Sequence, residues 1–262
     1  MISYQKTHEY SILDIDSPVV SRLISYPKVD PYESRARLKE IKSIGITKIL
    51  FYGLTQIDNF RILGKGHNGI VLCVMDKFKK KYALKIRRID SSRKDSNKEV
   101  NLQKRANSIG IGPKIISYTK NFILMDLISG LPIIRFVDVN DLNKNMLSSI
   151  VKQIFLQCYQ LDKIHLDHGE LNKINNHVFV SLNKFNDVHI IDFESSSMDR
   201  RPSNVTSVTQ ALFLYGSLAK TIKQYLSISS HDIIINSLQI YKKNQSKENF
   251  LDLLSIIIKD KS

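Results

Sequence analysis

Apolar positions along the chain fall into two regimes that change over near residue 130. Between 58 and 127 they come in short runs separated by turn residues, and 59–63, 70–75, 82–89, 114–118 and 122–127 each read as a strand. A glycine-rich turn separates the first two and a strongly basic turn, 76–81, the next two, which predicts an antiparallel meander. Within it, residues 94–108 place Glu99, Leu102 and Ala106 at helical spacing and stop before Gly110, Gly112 and Pro113, predicting one helix. From 142 to 164 the period becomes helical: Met146, Ile150, Ile154, Leu161 and Ile164 form the wide stripe of a long helix, the spine of a second lobe. Residues 132–140 read as a linker or short helix, and 178–182 and 188–191 as a hairpin with its turn at 183–187. Helices are predicted at 208–218 and 250–258, with a helix-and-turn region over 225–241. Upstream, apolar patches at 12–15 and 19–24 lie among Pro18, Pro27 and Pro31 and predict no long element. Residues 32–45 form a helix stopped by Gly45, and 46–52 a strand or second short helix. The chain thus divides into an N-terminal appendage, 1–57, a β-rich lobe, 58–130, and a helical lobe, 131–262. The appendage reads as a brace packed on the next lobe, or as a small helical module.

Composition narrows this picture. At 262 residues and 42% hydrophobic the chain buries a real core. The net charge of +14 favours polyanions, whether nucleotides, nucleic acid or acidic protein surfaces, and does not choose among them. Its lysines are scattered, as on an ordinary solvated surface. Cys73 and Cys158 lie in separate apolar runs with no paired spacing and read as buried free thiols of a reducing compartment. No apolar run reaches the ~20 residues of a membrane span and no hydrophobic leader opens the chain, so a cytoplasmic protein is expected.

Three stretches carry candidate chemistry. Gly64, Gly66, Gly69 and Val71 make the spacing GxGxxGxV between two strands, where the missing Cβ lets backbone N–H groups approach phosphate oxygens. A dinucleotide fingerprint would open into a helix, and a P-loop would end in Gly-Lys followed by Ser or Thr; neither form is present. Lys85, in Ala83-Leu84-Lys85, shares a sheet face with Ala83 and is either a phosphate-neutralising cation under the glycine turn or a surface lysine. Glu99 is either its partner or a solvated glutamate. Glu170 and Asp192 sit at the ends of the 178–191 hairpin, as functional carboxylates or as plain hairpin caps.

Together these stretches resemble, in order, the motifs of the protein kinase-like superfamily. The resemblance covers 58 to the C-terminus. It takes in the glycine-rich loop, Lys85, Glu99, Met125-Asp126-Leu127 as hinge, His168-Gly169-Glu170 as catalytic loop and Asp192-Phe193-Glu194 as metal loop. It is strongest to the small atypical archaeal kinases, meaning the RIO-type kinases, the kinase of the tRNA-modifying KEOPS complex and an archaeal group of predicted serine/threonine kinases. The resemblance implies a bilobal α+β fold, an antiparallel β lobe with one helix followed by a minimal helical lobe. It implies ATP and Mg2+ as cofactors and transfer to a protein Ser/Thr hydroxyl or to one of the enzyme's own. Backbone groups from Lys65 through Gly66, His67 and Asn68 to Gly69 would cover the phosphates, with Gly64 and Val71 flanking them. Lys85, held by Glu99, would reach the α and β phosphates. Ala83, Met125, Asp126 and Ile128 would surround adenine. Asp192 would bind magnesium, and Glu170 would orient the acceptor and take its proton.

The sequence departs from that pattern in three places. Glu170 stands where Asp is usual, adding a methylene. The second metal ligand, five residues beyond, falls on Asn175, with Asn176 and then His177 as the next choices. Glu194 replaces a glycine, and no long segment follows before the helix at 208; Arg200 and Arg201 lie in that short path, as ligands of an acidic group or as a solvated pair. A small-molecule kinase and an ATP-binding switch, ATPase or scaffold are the rival functions.

Overall fold

The computed structural model describes residues 11–139, 142–182, 184, 186–215, 217–226 and 229–258. In chain order the elements are β1 (Ile12–Asp14), α1 (Pro18–Ile24), α2 (Pro31–Ser43), β2 (Ile46–Leu50), β3 (Thr55–Ile57), β4 (Phe60–Ile62), β5 (Gly64–Lys65), β6 (Gly69–Asp76) and β7 (Lys81–Arg87). Then come α3 (Asn97–Asn107), β8 (Ile115–Tyr118), β9 (Phe122–Asp126), β10 (Gly130–Pro132), α4 (Ile133–Val139), α5 (Lys144–Lys163), α6 (Ile174–His177), β11 (Val178–Ser181) and β12 (Val188–Ile190). The chain ends with α7 (Asn204–Thr209), α8 (Ser217–Tyr225), α9 (His231–Lys243) and α10 (Lys247–Ile257). Two compact units result, Met1–Val100 with Lys114–Leu127, and Asn101–Pro113 with Ile128–Ser262. The bilobal α+β architecture, antiparallel sheet first and helices second, is the one expected.

The first unit is built on a sheet of order β1-β2-β6-β7-β9-β8, with β5 added beside β6 and every described pairing antiparallel. Side chains alternate across it. Ile70, Leu72, Val74, Leu84, Ile86, Phe122 and Leu124 face a core shared with Val20, Leu23, Ile24 and Ile41 of α1 and α2. The opposite face carries a smaller cluster of Ala83, Val100, Ile123 and Met125.

The N-terminal stretch departs from the pattern-based reading. Residues 18–24 form a helix, because Pro18 sits at its first position, where the missing N–H has no helical partner to lose. Residues 46–50 resolve as a strand, paired with β6 inside the main sheet. The predicted strand 59–63 pairs locally, β4 with β3, so the glycine-rich hairpin joins the sheet only through Leu63 and β5. Residues 1–10 of the predicted appendage lie outside the described residues.

Helix α2 is capped by the Asp30 carboxylate, which accepts from the Tyr32 and Glu33 amides. It is fixed to the sheet by Arg37, whose side chain is fully buried. Arg37 Nε donates to Glu33 at 2.8 Å, Nη1 to the Ile24 carbonyl at 2.7 Å and to the Arg87 carbonyl, and Nη2 to Asn121 Oδ1 at 3.1 Å. Asn121 in turn accepts from Arg87 at 2.7 Å and donates to Glu40 at 2.6 Å.

The second unit packs around α5, begun by the Asn143 side chain accepting from the Met146 amide. The hairpin β11–β12 forms with Val178 opposite Ile190, and β10 adds a third strand just ahead of the 132–140 stretch, where the pattern predicts none. Asn183 and Phe185 of its turn, and Asn140 of the predicted linker, lie outside the described residues. The helix predicted at 208–218 is broken. After α7 the chain widens at Gln210–Leu214, where the Tyr215 amide bonds the Gln210 carbonyl at 3.0 Å, and α8 starts anew. Among the described residues no helix is long and apolar enough to cross a membrane.

Candidate active site

Each unit carries one group of candidate residues. In the first, the glycine-rich hairpin sets Gly64 opposite Val71 and Lys65 opposite Ile70, and the Gly66 amide closes the tip on the Gly69 carbonyl at 2.8 Å. Lys65, Gly66 and His67 are exposed. The Asn68 carbonyl accepts from the Arg88 amide at 2.8 Å and its Oδ1 from the Ser91 hydroxyl at 3.0 Å, which fixes one side of the tip. A Cβ on Gly69 would meet the Ile86 carbonyl at 3.0 Å and Lys85 Cε at 3.3 Å, so that glycine serves the lysine's packing. At Gly64 and Gly66 the nearest atoms lie at 4.0 and 3.5 Å and neither backbone is left-handed. Nothing in the fold demands glycine there, and the open space fits the close approach of a phosphate.

Lys85 stands between Val71 on β6 and Ile123 on β9. Its Nζ lies 2.6 Å from Glu99 Oε1, with the two side chains 12% and 8% exposed. Val71, Ala83 and Met125 gather in the apolar cluster on this same face, so three positions named from sequence around adenine and phosphate come together. Asp126 closes β9 opposite Tyr82 and commits its amide to the Lys114 carbonyl at 3.0 Å. Ile128 belongs to the second unit.

In the second unit α5 ends in a turn that leads into the 168–170 loop. His165 and Gly169 adopt left-handed backbone, and Asp167 pairs with Ser197 through both backbone bonds at 2.9 Å. Gly169 is obligatory here, since a Cβ would lie 2.5 Å from Arg200 Nη2 and 2.7 Å from the Ser195 carbonyl. His168 is fully buried. Burial holds its pKa down at about 4, so the ring is neutral at pH 7 and its Nε2 donates to the Ile191 carbonyl at 2.9 Å. That bond ties the 168–170 loop to the residue before Asp192. Phe193 packs edge-on against the His168 ring at 5.1 Å, and Gly112 leaves room for it, because a Cβ there would come within 2.7 Å of Phe193 Cε2.

Glu170 follows Gly169 and is partly exposed. Its Oε1 meets Lys173 Nζ at 2.8 Å and its Oε2 lies 4.0 Å from His177 Nε2. The Lys173 bond, and secondarily a hydrogen bond with Ser195, hold the Glu170 carboxyl below its usual pKa. It is ionised at neutral pH and, as a base, weak. The one-turn helix α6 separates the three competing ligand candidates: Asn176 is exposed, Asn175 half-buried, and His177 buried with its ring 5.3 Å from that of His168. Asp192 is half-buried in left-handed backbone, φ 68°, an unfavourable conformation for a non-glycine residue and one that recurs at functional turns. Oxygen donors such as Asp192 and Asn175 fit a hard divalent cation.

A buried polar scaffold beneath this loop escaped the sequence reading. Asp162, in the last turn of α5, accepts from the Asn204 amide and side chain at 2.9 and 2.8 Å and from the Tyr241 hydroxyl at 2.9 Å. Asn204 in turn accepts from the His168 amide at 2.9 Å. Burial raises the Asp162 pKa, offset by those bonds. The available signal was an aspartate one residue after Leu161, inside the apolar stripe of α5. The Lys173 contact was legible as an i,i+3 pair with Glu170.

Residues 72–207, more than half of the chain, match the RIO domain family. An uncharacterized protein of Methanocaldococcus jannaschii is 30% identical over 95 residues, covering 36% of this chain and 78% of that protein. The autoinhibited serine kinase domain of the giant muscle protein titin aligns at 19% identity and a TM-score of 0.41, over 53% of this chain and 44% of the titin chain.

Proposed function

Given that the chain belongs to the RIO domain family, within the protein kinase-like superfamily, we propose that it is an ATP- and magnesium-dependent phosphotransferase acting on protein Ser/Thr hydroxyls, its own included. The observation that carries this reading is the buried Lys85–Glu99 pair, 2.6 Å apart on the face that also holds Val71, Ala83 and Met125. A lysine placed there serves a phosphate better than it serves the fold, since burying an ion pair stabilises little by itself.

The backbone from Lys65 to Gly69 and the Lys85 ammonium hold the nucleotide phosphates, and Glu99 fixes the lysine's direction. The hinge, Met125 to Ile128, receives adenine. Asp192 and Asn175 hold the magnesium ion, with Asn176 and His177 as the alternatives to Asn175. When bound, the ion neutralises phosphate charge. Glu170 orients the acceptor hydroxyl and accepts its proton. Its low basicity suits a loose phosphoryl-transfer transition state, in which positioning matters more than proton abstraction. The chain's reading as a small atypical kinase of the archaeal type is supported by the Methanocaldococcus relative. Two buried free thiols fit a reducing, cytoplasmic setting.

The added methylene of Glu170 and its tether to Lys173 favour one second reading, an ATP-binding switch or ATPase with little transfer. Incubation with γ-labelled ATP and magnesium separates the two. The wild type is expected to incorporate label, and Lys85→Ala, Glu170→Ala and Asp192→Ala to lose it on the order of 10²-fold or more. Nucleotide binding without incorporation establishes the switch. Full activity in the Glu170 variant removes its assignment as base.

A further inference from the structure

The path from the metal loop to α7 is short, so acceptor recognition falls to side chains beside Glu170. Its two adjacent arginines meet different fates. Arg201 is spent on the carbonyls of Lys242 and Lys243 at the end of α9. Arg200 instead lies on Gly169, the residue before the candidate base. Its Nη2 is pinned by Asp167 Oδ2 at 3.0 Å and the Ser195 carbonyl at 2.7 Å, while the side chain stays 52% exposed. Lys173, 58% exposed, meets Glu170 Oε1 at 2.8 Å.

Two of the neighbouring acids are committed. Asp167 Oδ1 accepts from the Ser203 amide and hydroxyl at 3.0 and 3.1 Å, and Glu170 is held by Lys173. The third, Asp199, is exposed, and the bond from its backbone amide to the Ser197 hydroxyl leaves its carboxylate facing solvent. Arg200 against Gly169 and Lys173 against Glu170 thus place two partly exposed cations beside the candidate base. Pinning one nitrogen of a guanidinium leaves its remaining N–H groups oriented in a planar fork, suited to a carboxylate or phosphate at little further ordering cost.

We propose that Arg200 and Lys173 form an anion subsite beside Glu170 that selects acceptor hydroxyls within acidic peptide segments, the neighbouring group being a carboxylate or a phosphate. The proposal rests on the phosphotransfer reading. Lys173 also offsets the repulsion between Glu170 and the incoming anion, and the chain's charge of +14 draws acidic segments generally.

The test uses pools of serine peptides in which one flanking position is fixed as Asp, phosphoserine, Ala or Lys, incubated with γ-labelled ATP and magnesium. Wild type is expected to label the Asp or phosphoserine pools about tenfold over the Lys pools, a contrast typical of one charge-assisted hydrogen bond. Which acidic pool leads tells carboxylate from phosphate recognition. Arg200→Gln, which keeps a polar side chain without the charge, is expected to bring the ratio to about twofold, and Arg200→Glu to turn the preference toward Lys. Ratios are read, so a general loss of activity does not imitate the result. Equal labelling of wild-type pools, absence of label in every pool, or an unchanged ratio in Arg200→Glu overturns the subsite. Autophosphorylation measured in parallel separates the two levels: label on the enzyme with unselective or silent peptides leaves transfer standing, whereas no label anywhere removes both.

Discussion

Removing Glu99 tests the link between folding and chemistry most directly. At 2.6 Å and an effective dielectric of about 20, the Lys85–Glu99 attraction is on the order of 6 kcal/mol, most of it cancelled by desolvating two side chains that are only 12% and 8% exposed. Glu99→Ala removes the ammonium's 2.6 Å carboxylate partner at a largely buried position, and a loss of about 3–5 kcal/mol in unfolding free energy is expected. The paired change Lys85→Met with Glu99→Leu removes both charges and fills the space, and it should recover most of that loss. If the pair exists for the phosphate, the double variant folds well and yet transfers label on the order of 10²-fold or more slowly than wild type. Urea denaturation gives the first quantity and γ-labelled ATP the second. A double variant as active as wild type refutes the assignment of Lys85, and a Glu99→Ala variant within about 1 kcal/mol of wild type refutes the burial argument.

Three further outcomes follow from single contacts. The pKa of His168 falls from the ordinary 6.5 to about 4 on burial, so its contribution to stability is complete above about pH 6.5 and disappears as pH falls toward 4. The span corresponds to about 3 kcal/mol, and His168→Gln should flatten the fall of the urea midpoint between those pH values. Gly112→Ala must reconcile a left-handed backbone with a Cβ 2.7 Å from Phe193, and should lower stability by about 2 kcal/mol or more, with reduced transfer as Phe193 shifts; an unchanged melting temperature contradicts this. Tyr26 accepts from the Ile89 amide through its carbonyl, and its ring lies 5.4 Å from Lys65 Nζ and 5.3 Å from the Arg88 guanidinium, at the base of the glycine hairpin. Tyr26→Ala should weaken nucleotide binding by about fivefold while Tyr26→Phe, which keeps the ring, should not; equal affinities in a fluorescent ATP-analogue titration argue against a role in steadying the hairpin.

Period and punctuation made much of the fold legible. Alternating runs with glycine and basic turns between them specified the antiparallel sheet, and the stripe on α5 specified the helical unit, because both signals depend only on which face each residue presents. Elements failed where partners decided them. Pro18 read as a breaker although at a first helical position it costs nothing, β10 was too short to carry a pattern, and within 59–63 residues 60–62 pair with 55–57, leaving only Leu63 bonded to β6.

The same division holds at the site. The sequence alone determined residue types and spacing: three glycines before a valine, a lysine on the sheet face of Ala83, Glu99 on the next helix, and Glu170 and Asp192 bracketing a hairpin. Those are local properties, fixed by chain distance and side-chain alternation. Only the tertiary structure decided which charges are spent and which are available. Arg200 and Arg201 are neighbours of the same type, yet one answers two carbonyls at the end of α9 and the other leans half-exposed over Gly169. Likewise Asp162 lies in an apolar stripe, and only the fold brings Asn204 and Tyr241 from far along the chain to satisfy it. Hydrogen bonds between distant segments leave no periodic trace in a sequence, because their partners are chosen by packing geometry and not by spacing.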